Sequence, residues 1–461
     1  MLLSFFEWLG GLIGLPEDQA RMVFGFIITI PLGFLFKSLK SAKLRKYFGL
    51  TIGLLLSYML YQEKLISVII QNIIVYEMTK RITLNKIGIK AKWVFYETLI
   101  YVAVHHIYRQ YTDYGGWKLD ITTILMMNTV KWTSFAYNFE DGLRKDEELN
   151  SDQQERKLQK MPSYTDYFGY MFFFCGCLAG PSFDYYDYDI FIKRTNVYEK
   201  IPSTFWETFR LFRNALIYSF FIVVVYPRWS LESLMSAEYD EACLLYKILW
   251  LNLTITLHRT KYVSGWLFSE SGLAAAGFTY NGKQDGKDKW LRIRSIDPTI
   301  DLTTNPKDKI ELWNISVQVW LKKYVYLRVY PESVLKSSPA KSQKAQLITF
   351  AVSAFWHGFY PGYYISFFHW NLIGMINKYI HKLGQNTNVL KIWDSNILFK
   401  CVRFYFVNSL FNCFGVGFQL MNVRDNLRFY GSVYYVFNLT TYILFAFFTV
   451  TQFGQKPRKK Q

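Results

Sequence analysis

What most constrains this chain is the recurrence of apolar stretches long enough, or nearly so, to cross a lipid bilayer. A membrane-spanning helix needs roughly 20 mostly apolar residues to cover about 30 Å of hydrocarbon. Candidate stretches run from Val23 to Phe36, Tyr47 to Tyr61, Leu65 to Met78, Trp93 to Ile107 and Tyr167 to Leu178. Others run from Leu211 to Tyr226, Cys243 to Leu257, Gln346 to Ile376, Val402 to Leu420 and Val433 to Phe453. Hydrocarbon offers no partner for a backbone N–H or C=O, so each crossing must satisfy its own backbone as a helix. The expected fold is all-α and polytopic, with about ten or eleven passes, many of them tilted and mutually buried because their apolar cores are short.

Composition agrees. Of the residues, 51% are hydrophobic, 19% aromatic and 19% charged, against about 25% charged in ordinary soluble domains. The formal charge of +18 admits nucleic acid as a partner. Its distribution argues otherwise, because the basic residues fall in short loops between apolar segments, as in Lys37 to Lys46, Lys80 to Lys92 and Lys456 to Lys460. That is the positive-inside pattern. If Tyr47 to Met78 is two short helices joined at Glu63-Lys64, the first two basic loops share one side. Anionic headgroups or a polyphosphorylated cofactor then suit the charge better than DNA. Met1 to Leu15 carries Glu7 and no basic start, so no cleavable signal is expected there.

The chain shows no internal repeat and reads as a single membrane domain over 1–461, with polar interruptions at 141–162 and 281–309 and a basic tail at 454–461. The first interruption is expected to be a solvated loop or an exposed helix. The second, with Gly282, Gly286, Pro298 and Pro306, reads as an irregular loop. Five cysteines, Cys175, Cys177, Cys243, Cys401 and Cys413, form no zinc spacing and suit reduced packing thiols.

After the second interruption comes Ile310-Glu-Leu-Trp-Asn-Ile-Ser-Val-Gln-Val-Trp-Leu-Lys-Lys-Tyr324. As one amphipathic helix it would align Trp313, Trp320 and Tyr324, with Asn314 and Leu321 beside them. An interfacial aromatic anchor and a catalytic role both fit this stripe.

From Ala345 to Asn377 there is no Asp, Glu, Lys or Arg, yet the stretch holds His357 and His369. Pro361-Gly362 is the expected break between two short helices, with His357 one turn before it. Irregular backbone at membrane depth is tolerated only where protein buries it or a wet cavity meets it. An ionisable group in such a place is a functional candidate by default, and a neutral imidazole in a dry site suits a general base. A histidine satisfied by a carbonyl or hydroxyl fits the same observation. His105-His106 could bind a metal, but no carboxylate or cysteine cluster supports it; His258 and His381 read as interfacial and His369 as a supporting group. No Gly-x-Ser-x-Gly elbow and no Walker-type loop occur, which disfavours a serine nucleophile and ATP-driven transport.

At these residues the sequence resembles the membrane-bound O-acyltransferase family. Ser353-Ala-Phe-Trp-His-Gly-Phe-Tyr-Pro-Gly-Tyr-Tyr364 is similar to the histidine motif of its lysophospholipid acyltransferase branch. Trp313-Asn314 followed by Trp320-Leu321 is similar to the partner asparagine motif. Gly180-Pro-Ser-Phe-Asp-Tyr185 with Tyr188, and Lys131-Trp-Thr-Ser-Phe-Ala-Tyr137 with Asp141-Gly142, resemble two further segments of that branch. The resemblance runs from about residue 95 to 450. It implies broken or re-entrant helices around a central cavity, and transfer of a fatty acyl group from acyl-CoA to the free hydroxyl of a lysophospholipid. His357 would be the base and Asn314 would position or polarise the reacting groups. Trp313, Trp320, Trp356, Tyr360, Tyr363 and Tyr364 would line the substrate site, and Lys322, Lys323 and Arg328 would hold the CoA phosphates.

Acyl-CoA is then a co-substrate, with no resident cofactor and no metal. Lipids are the expected partners, and a homo-oligomer or larger membrane assembly stays open. Glu311-Leu-Trp-Asn314 departs from the Asp-Trp-Trp-Asn of the sterol and diacylglycerol branch. Acylation of a protein serine or diacylglycerol, and a non-catalytic scaffold of the same fold, stay open as alternatives. The end Arg458-Lys-Lys-Gln461 approximates an endoplasmic-reticulum retrieval signal, with mitochondrial or other membranes also open.

Overall fold

The computed structural model describes residues 2–116, 118–386 and 396–453, and these pack as two compact units. The basic tail and its retrieval-like end lie outside the described residues. The first unit holds the described residues within 1–217, 262–296 and 314–320; the second holds those within 218–261, 297–313 and 321–453.

Unit 1 begins with α1 (Leu2–Ile13), α2 (Glu17–Ser38), α3 (Ala42–Tyr61), α4 (Leu65–Lys80), α5 (Ala91–Thr112) and α6 (Thr122–Gly142). It continues through α7 (Ser151–Arg156), α8 (Tyr164–Met171), α9 (Tyr185–Lys193) and α10 (Phe205–Phe220). The expected joint between α3 and α4 is a 3-10 turn, Gln62–Lys64, opened by a positive φ of 49° at Gln62.

Tyr167 to Leu178 is not a spanning helix. Helix α8 stops at Met171, where the buried Lys131 of α6 donates from Nζ to the carbonyls of Tyr170 (3.1 Å) and Met171 (3.2 Å). Residues 172–178 then turn irregularly with Phe172, Phe173, Phe174, Cys175, Cys177 and Leu178 all buried. They lie so close to α3 that a Cβ on Gly53 would stand 1.6 Å from the Phe172 carbonyl oxygen. Apolar composition here reflects burial by protein, the condition under which irregular backbone is tolerated at membrane depth. Around it Phe36, Phe173, Phe183, Phe191 and Phe278 form a ring cluster, with Phe191 and Phe278 stacked at 4.3 Å.

Helix α11 (Ala237–Glu241) is followed by α12 (Leu244–Ala276), which serves unit 2 up to Lys261 and unit 1 from Tyr262. After α12 the 281–309 segment is more ordered than a loop. It contains a small hairpin (β1, Lys283–Gln284; β2, Lys287–Asp288), a 3-10 turn at Pro298–Asp301 and the start of α13 (Pro306–Leu312). The 141–162 segment likewise starts inside α6, where Asp141 is fully buried, and includes α7. Arg156 of α7 pairs with Asp184 (3.0 Å) and Asp187 (2.7 Å), and Arg292 meets Asp187 from the other polar segment (2.7 Å). Charge that reads as solvated loop here joins a half-buried ion network around the buried Asp187.

Beyond α14 (Ile315–Leu321), unit 2 contains α15 (Leu327–Val329), α16 (Glu332–Ser337), α17 (Pro339–His357), α18 (Pro361–Asn386), α19 (Ile397–Leu420), α20 (Val423–Ser432) and α21 (Val436–Phe453). Its apolar core draws Trp250, Leu251 and Ile255 of α12 together with Leu410, Cys413 and Phe414 of α19 and Phe429 and Tyr430 of α20. A polar ladder runs beside it. Asn252 donates to Ser409 (2.7 Å), Asn412 donates to Asn252 (2.8 Å), and Arg259 donates to Asn412 (2.9 Å) and pairs with Asp301.

Among the described residues four helical stretches are long and apolar enough to cross a membrane: Glu17–Ser38, Ala42–Lys80, Phe205–Met235 and Ile397–Leu420. The pair α20 and α21, bent by 90°, makes a fifth if it is one span. These stretches qualify by length and composition alone, and the helical, polytopic membrane architecture is the one expected. Segments such as α5 and α17, whose apolar runs carry Lys92, Glu97 and Arg109 or Lys341 and Lys344, and the eight-residue α8, do not qualify by that measure.

Candidate active site

The expected continuous helix from Ile310 to Tyr324 is broken at its centre. Helix α13 ends at Leu312, Trp313 is extended (φ −98°, ψ 129°), and Asn314 takes a positive φ of 44° before α14 restarts at Ile315. Asn is one of the few non-glycine residues that adopt this conformation at modest cost. The aromatic stripe is therefore not one face of one helix: Trp313 belongs to unit 2, Asn314 and Trp320 to unit 1, and Tyr324 lies in a π-turn, Lys322–Tyr326.

Within unit 1, four hydrogen bonds fix α14. The Asn314 carbonyl accepts from Gln318 N (2.9 Å), and Ile315 N donates to Ser295 O (2.7 Å). Ser182 N donates to Ser316 Oγ (3.3 Å). Trp320, only 2% exposed, donates from Nε1 to Thr133 Oγ1 at 2.8 Å. Two of the segments that carried the family resemblance, 131–137 and 180–185, thus dock the helix that begins at Asn314. Trp320 works here as a packing and anchoring side chain.

Within unit 2, His357 is the last residue of α17. The helix stops because Gly358 takes φ +119°, a value that L side chains rarely adopt. The break is thus Gly358 to Tyr360, and Pro361 opens α18 as its first residue, where its missing N–H costs nothing. Gly362 N donates to Met421 O at 2.6 Å, which ties this hairpin to the end of α19.

The His357 ring lies 4.8 Å from Trp356, 5.9 Å from Tyr363, 5.4 Å from Phe367 and 5.2 Å from Phe418, centroid to centroid. Tyr363 stacks on Phe418 at 4.3 Å, and Tyr360 meets Tyr363 at 5.5 Å. Sequence-selected Trp356, Tyr360 and Tyr363 are thus gathered at the imidazole. Tyr364 is 38% exposed. Phe367 and Phe418 join the site without having been singled out. Phe367 was legible one helical turn after Tyr363; Phe418 carries no motif signal.

The model of the membrane-bound O-acyltransferase family matches residues 106–416. The chain belongs to that family. It is similar to a lysophospholipid acyltransferase of Schizosaccharomyces pombe, with 29% identity over 96% of this chain and 88% of the relative. It is 31% identical to lysophospholipid acyltransferase 6 of Drosophila melanogaster over 78% of this chain, which spans 52% of that longer protein. It is 27% identical to the human membrane-bound glycerophospholipid O-acyltransferase 2 over 94% of this chain and 85% of the relative.

In this member of the membrane-bound O-acyltransferase family the three basic candidates lie together in unit 2. Lys322 is exposed, Lys323 and Arg328 are half-buried, and the Arg328 guanidinium sits 5.8 Å from the Tyr324 ring. From Lys322 to Lys344 the chain carries Lys336 and Lys341 besides, and the single carboxylate Glu332 pairs with Lys336 at 2.7 Å. His369 is a structural pin: Nδ1 meets Ile365 O (2.7 Å) and Nε2 meets Tyr442 OH (2.9 Å), which ties α18 to α21. No group of three His, Cys, Asp or Glu side chains among the described residues could hold a metal ion.

Proposed function

We propose that this protein is an acyl-CoA-dependent lysophospholipid O-acyltransferase. The observation that carries the reading is the imidazole of His357 at a helix end, set among Trp356, Tyr363, Phe367 and Phe418. Aromatic walls exclude water and leave a base to act on a hydroxyl brought to it. The names of the relatives support the acceptor class.

In the reaction the lysophospholipid hydroxyl oxygen attacks the thioester carbonyl carbon while His357 takes its proton. The C–S bond then breaks, and the CoA thiolate leaves with that proton. A thioester is already activated, so the work is alignment, proton removal and stabilisation of the carbonyl oxygen. Asn314, through its side-chain amide, orients or polarises the reacting carbonyl. Lys322, Lys323 and Arg328 hold the CoA phosphates as charge-assisted donors. No resident cofactor takes part. The membrane is proposed to be that of the endoplasmic reticulum.

The test gives purified protein labelled acyl-CoA with a panel of lysophospholipids, diacylglycerol and a serine peptide, beside His357→Ala. A phospholipid product that His357→Ala reduces at least ~100-fold, with unchanged thermal unfolding, is expected for loss of a general base. Wild-type turnover in His357→Ala refutes the base assignment. Product from diacylglycerol or peptide alone refutes the acceptor, and no product from any acceptor favours the scaffold.

A further inference from the structure

Asn314 holds a backbone conformation, φ 44°, that costs on the order of 1 kcal/mol or more outside glycine and persists only where the surroundings impose it. The residue that follows it, Ile315, is fixed through its N–H to Ser295 O at 2.7 Å. Ser295 and Ile296 are themselves buried, at 1% and 3% exposure. What holds them is a carboxylate. Glu270 of α12, 4% exposed, accepts from Ser295 N at 2.5 Å and from Ile296 N at 3.4 Å, both on Oε1. All of these residues belong to unit 1.

We infer that Glu270 is a positioning residue for acyl transfer, acting through the 295–296 backbone to hold Asn314 in its working orientation. The inference rests on the proposed role of Asn314. A buried carboxylate is expensive, and a stretch of backbone far from any charge can be pinned by ordinary helix or strand bonds instead. Here the two N–H groups it takes belong to a segment outside any helix or strand, and one of the two residues, Ser295, is itself the acceptor for Ile315 N beside Asn314. A shift of Ser295 carries Ile315 N with it or breaks their hydrogen bond. A displacement of a reacting group by about 1 Å can lower a rate by ~100-fold without changing substrate binding.

The experiment compares Glu270→Met, which keeps length and burial and removes both acceptors, with Glu270→Gln, whose carboxamide oxygen can still accept both N–H groups. Steady-state kinetics use acyl-CoA and a lysophospholipid that the wild type acylates. The Met variant is expected to lose ~10- to 100-fold in kcat with both KM values within about twofold, while Gln stays within about threefold of wild type. In an Asn314→Ala background, Glu270→Met should cost nothing further, because a positioning effect cannot act on an absent side chain. A loss of folding would instead add to the Asn314→Ala defect.

Wild-type kcat in Glu270→Met beside an inactive Asn314→Ala overturns the inference and leaves the proposed function standing. Full activity in Asn314→Ala overturns the role of Asn314 and this inference with it. If the Met variant gives no folded protein, Glu270→Asp takes its place: its carboxylate is withdrawn by one methylene, so kcat should fall ~10-fold below that of Gln, and equal rates in Asp and Gln overturn the inference.

Discussion

Gly362, the second residue of α18, has no room for a side chain, so Gly362→Ala probes the hairpin that carries His357. A Cβ there would stand 2.4 Å from the Gly417 carbonyl oxygen, 2.9 Å from Met421 Cα and 3.0 Å from Met421 N, where ordinary contact begins at 3.4 Å. Relief therefore takes a shift of about 1 Å (3.4 minus 2.4), and all three obstacles are backbone, which yields less readily than a side-chain end. The same shift stretches the 2.6 Å bond from Gly362 N to Met421 O beyond hydrogen-bond range. Loss of that bond costs about 0.5 to 1.5 kcal/mol and the overpacking about 1 to 3 kcal/mol, so the protein should lose about 1.5 to 4.5 kcal/mol of stability. Tyr363 is the next residue and moves with it, away from its 4.3 Å stack on Phe418, and that pair walls the imidazole. Turnover should fall ~10- to 100-fold on the same displacement. The measurements are thermal unfolding in detergent micelles and release of free CoA thiol with acyl-CoA and lysophospholipid. Wild-type values of both would refute the claim that the close backbone approach at Gly362 sets the geometry around His357.

Other outcomes follow from features outside the two motifs. Asp187→Asn should lower stability by about 3 kcal/mol, as for breaking a buried ion pair, because it leaves Arg156 and Arg292 facing a neutral amide at 2.7 Å; a melting temperature equal to wild type would exclude the network as a structural element. Lys309, whose Nζ donates to Ile300 O (2.8 Å) and Asn408 Oδ1 (2.7 Å), is pushed down to about 8 by burial, with Arg259 adding to the shift. Its folded-state value lies below the unfolded 10.5, so the unfolded chain binds more protons in between and stability rises with pH from about 8 to about 10.5. Lys309→Met should lack that rise, and parallel pH profiles of melting temperature in the two proteins would refute it.

The helical, membrane-embedded character was legible because hydrocarbon imposes it on any apolar run of the right length. What the sequence could not distinguish is an apolar run facing lipid from one facing protein: Phe172 to Leu178 is as apolar as a spanning helix, yet it is irregular chain packed against Gly53. The converse error concerns charge. Asp141 and Arg156 fall in a stretch that reads as a solvated loop or an exposed helix, whereas Asp141 is buried and Arg156 pairs with Asp184 and Asp187, about thirty residues on. At the site, the imidazole and its neighbours Trp356 and Tyr363 were legible because they lie within one turn of the break. The break itself was displaced from Pro361-Gly362 to Gly358, since proline starts a helix as readily as it stops one. Periodicity predicted one helix through Trp313 and Asn314, and the positive φ of Asn314 overrides it. Glu270 carried a usable signal, an acid among Trp266, Leu267, Phe268 and Leu273, that went unused because it has no motif around it.

The seven residues from Asn314 to Trp320 belong to unit 1, while the chain on both sides of them belongs to unit 2. During synthesis unit 1 has most of its helices by residue 217, waits through forty-four residues of the other unit, takes in 262–296, and waits again. Its final piece is the segment that starts at Asn314 and seats Trp320 on Thr133. The element proposed to polarise the acyl carbonyl is thus also the keystone of its unit. A chain that stops before residue 315 leaves Ser295, Ser182 and Thr133 without the hydrogen bonds that Ile315, Ser316 and Trp320 bring to them.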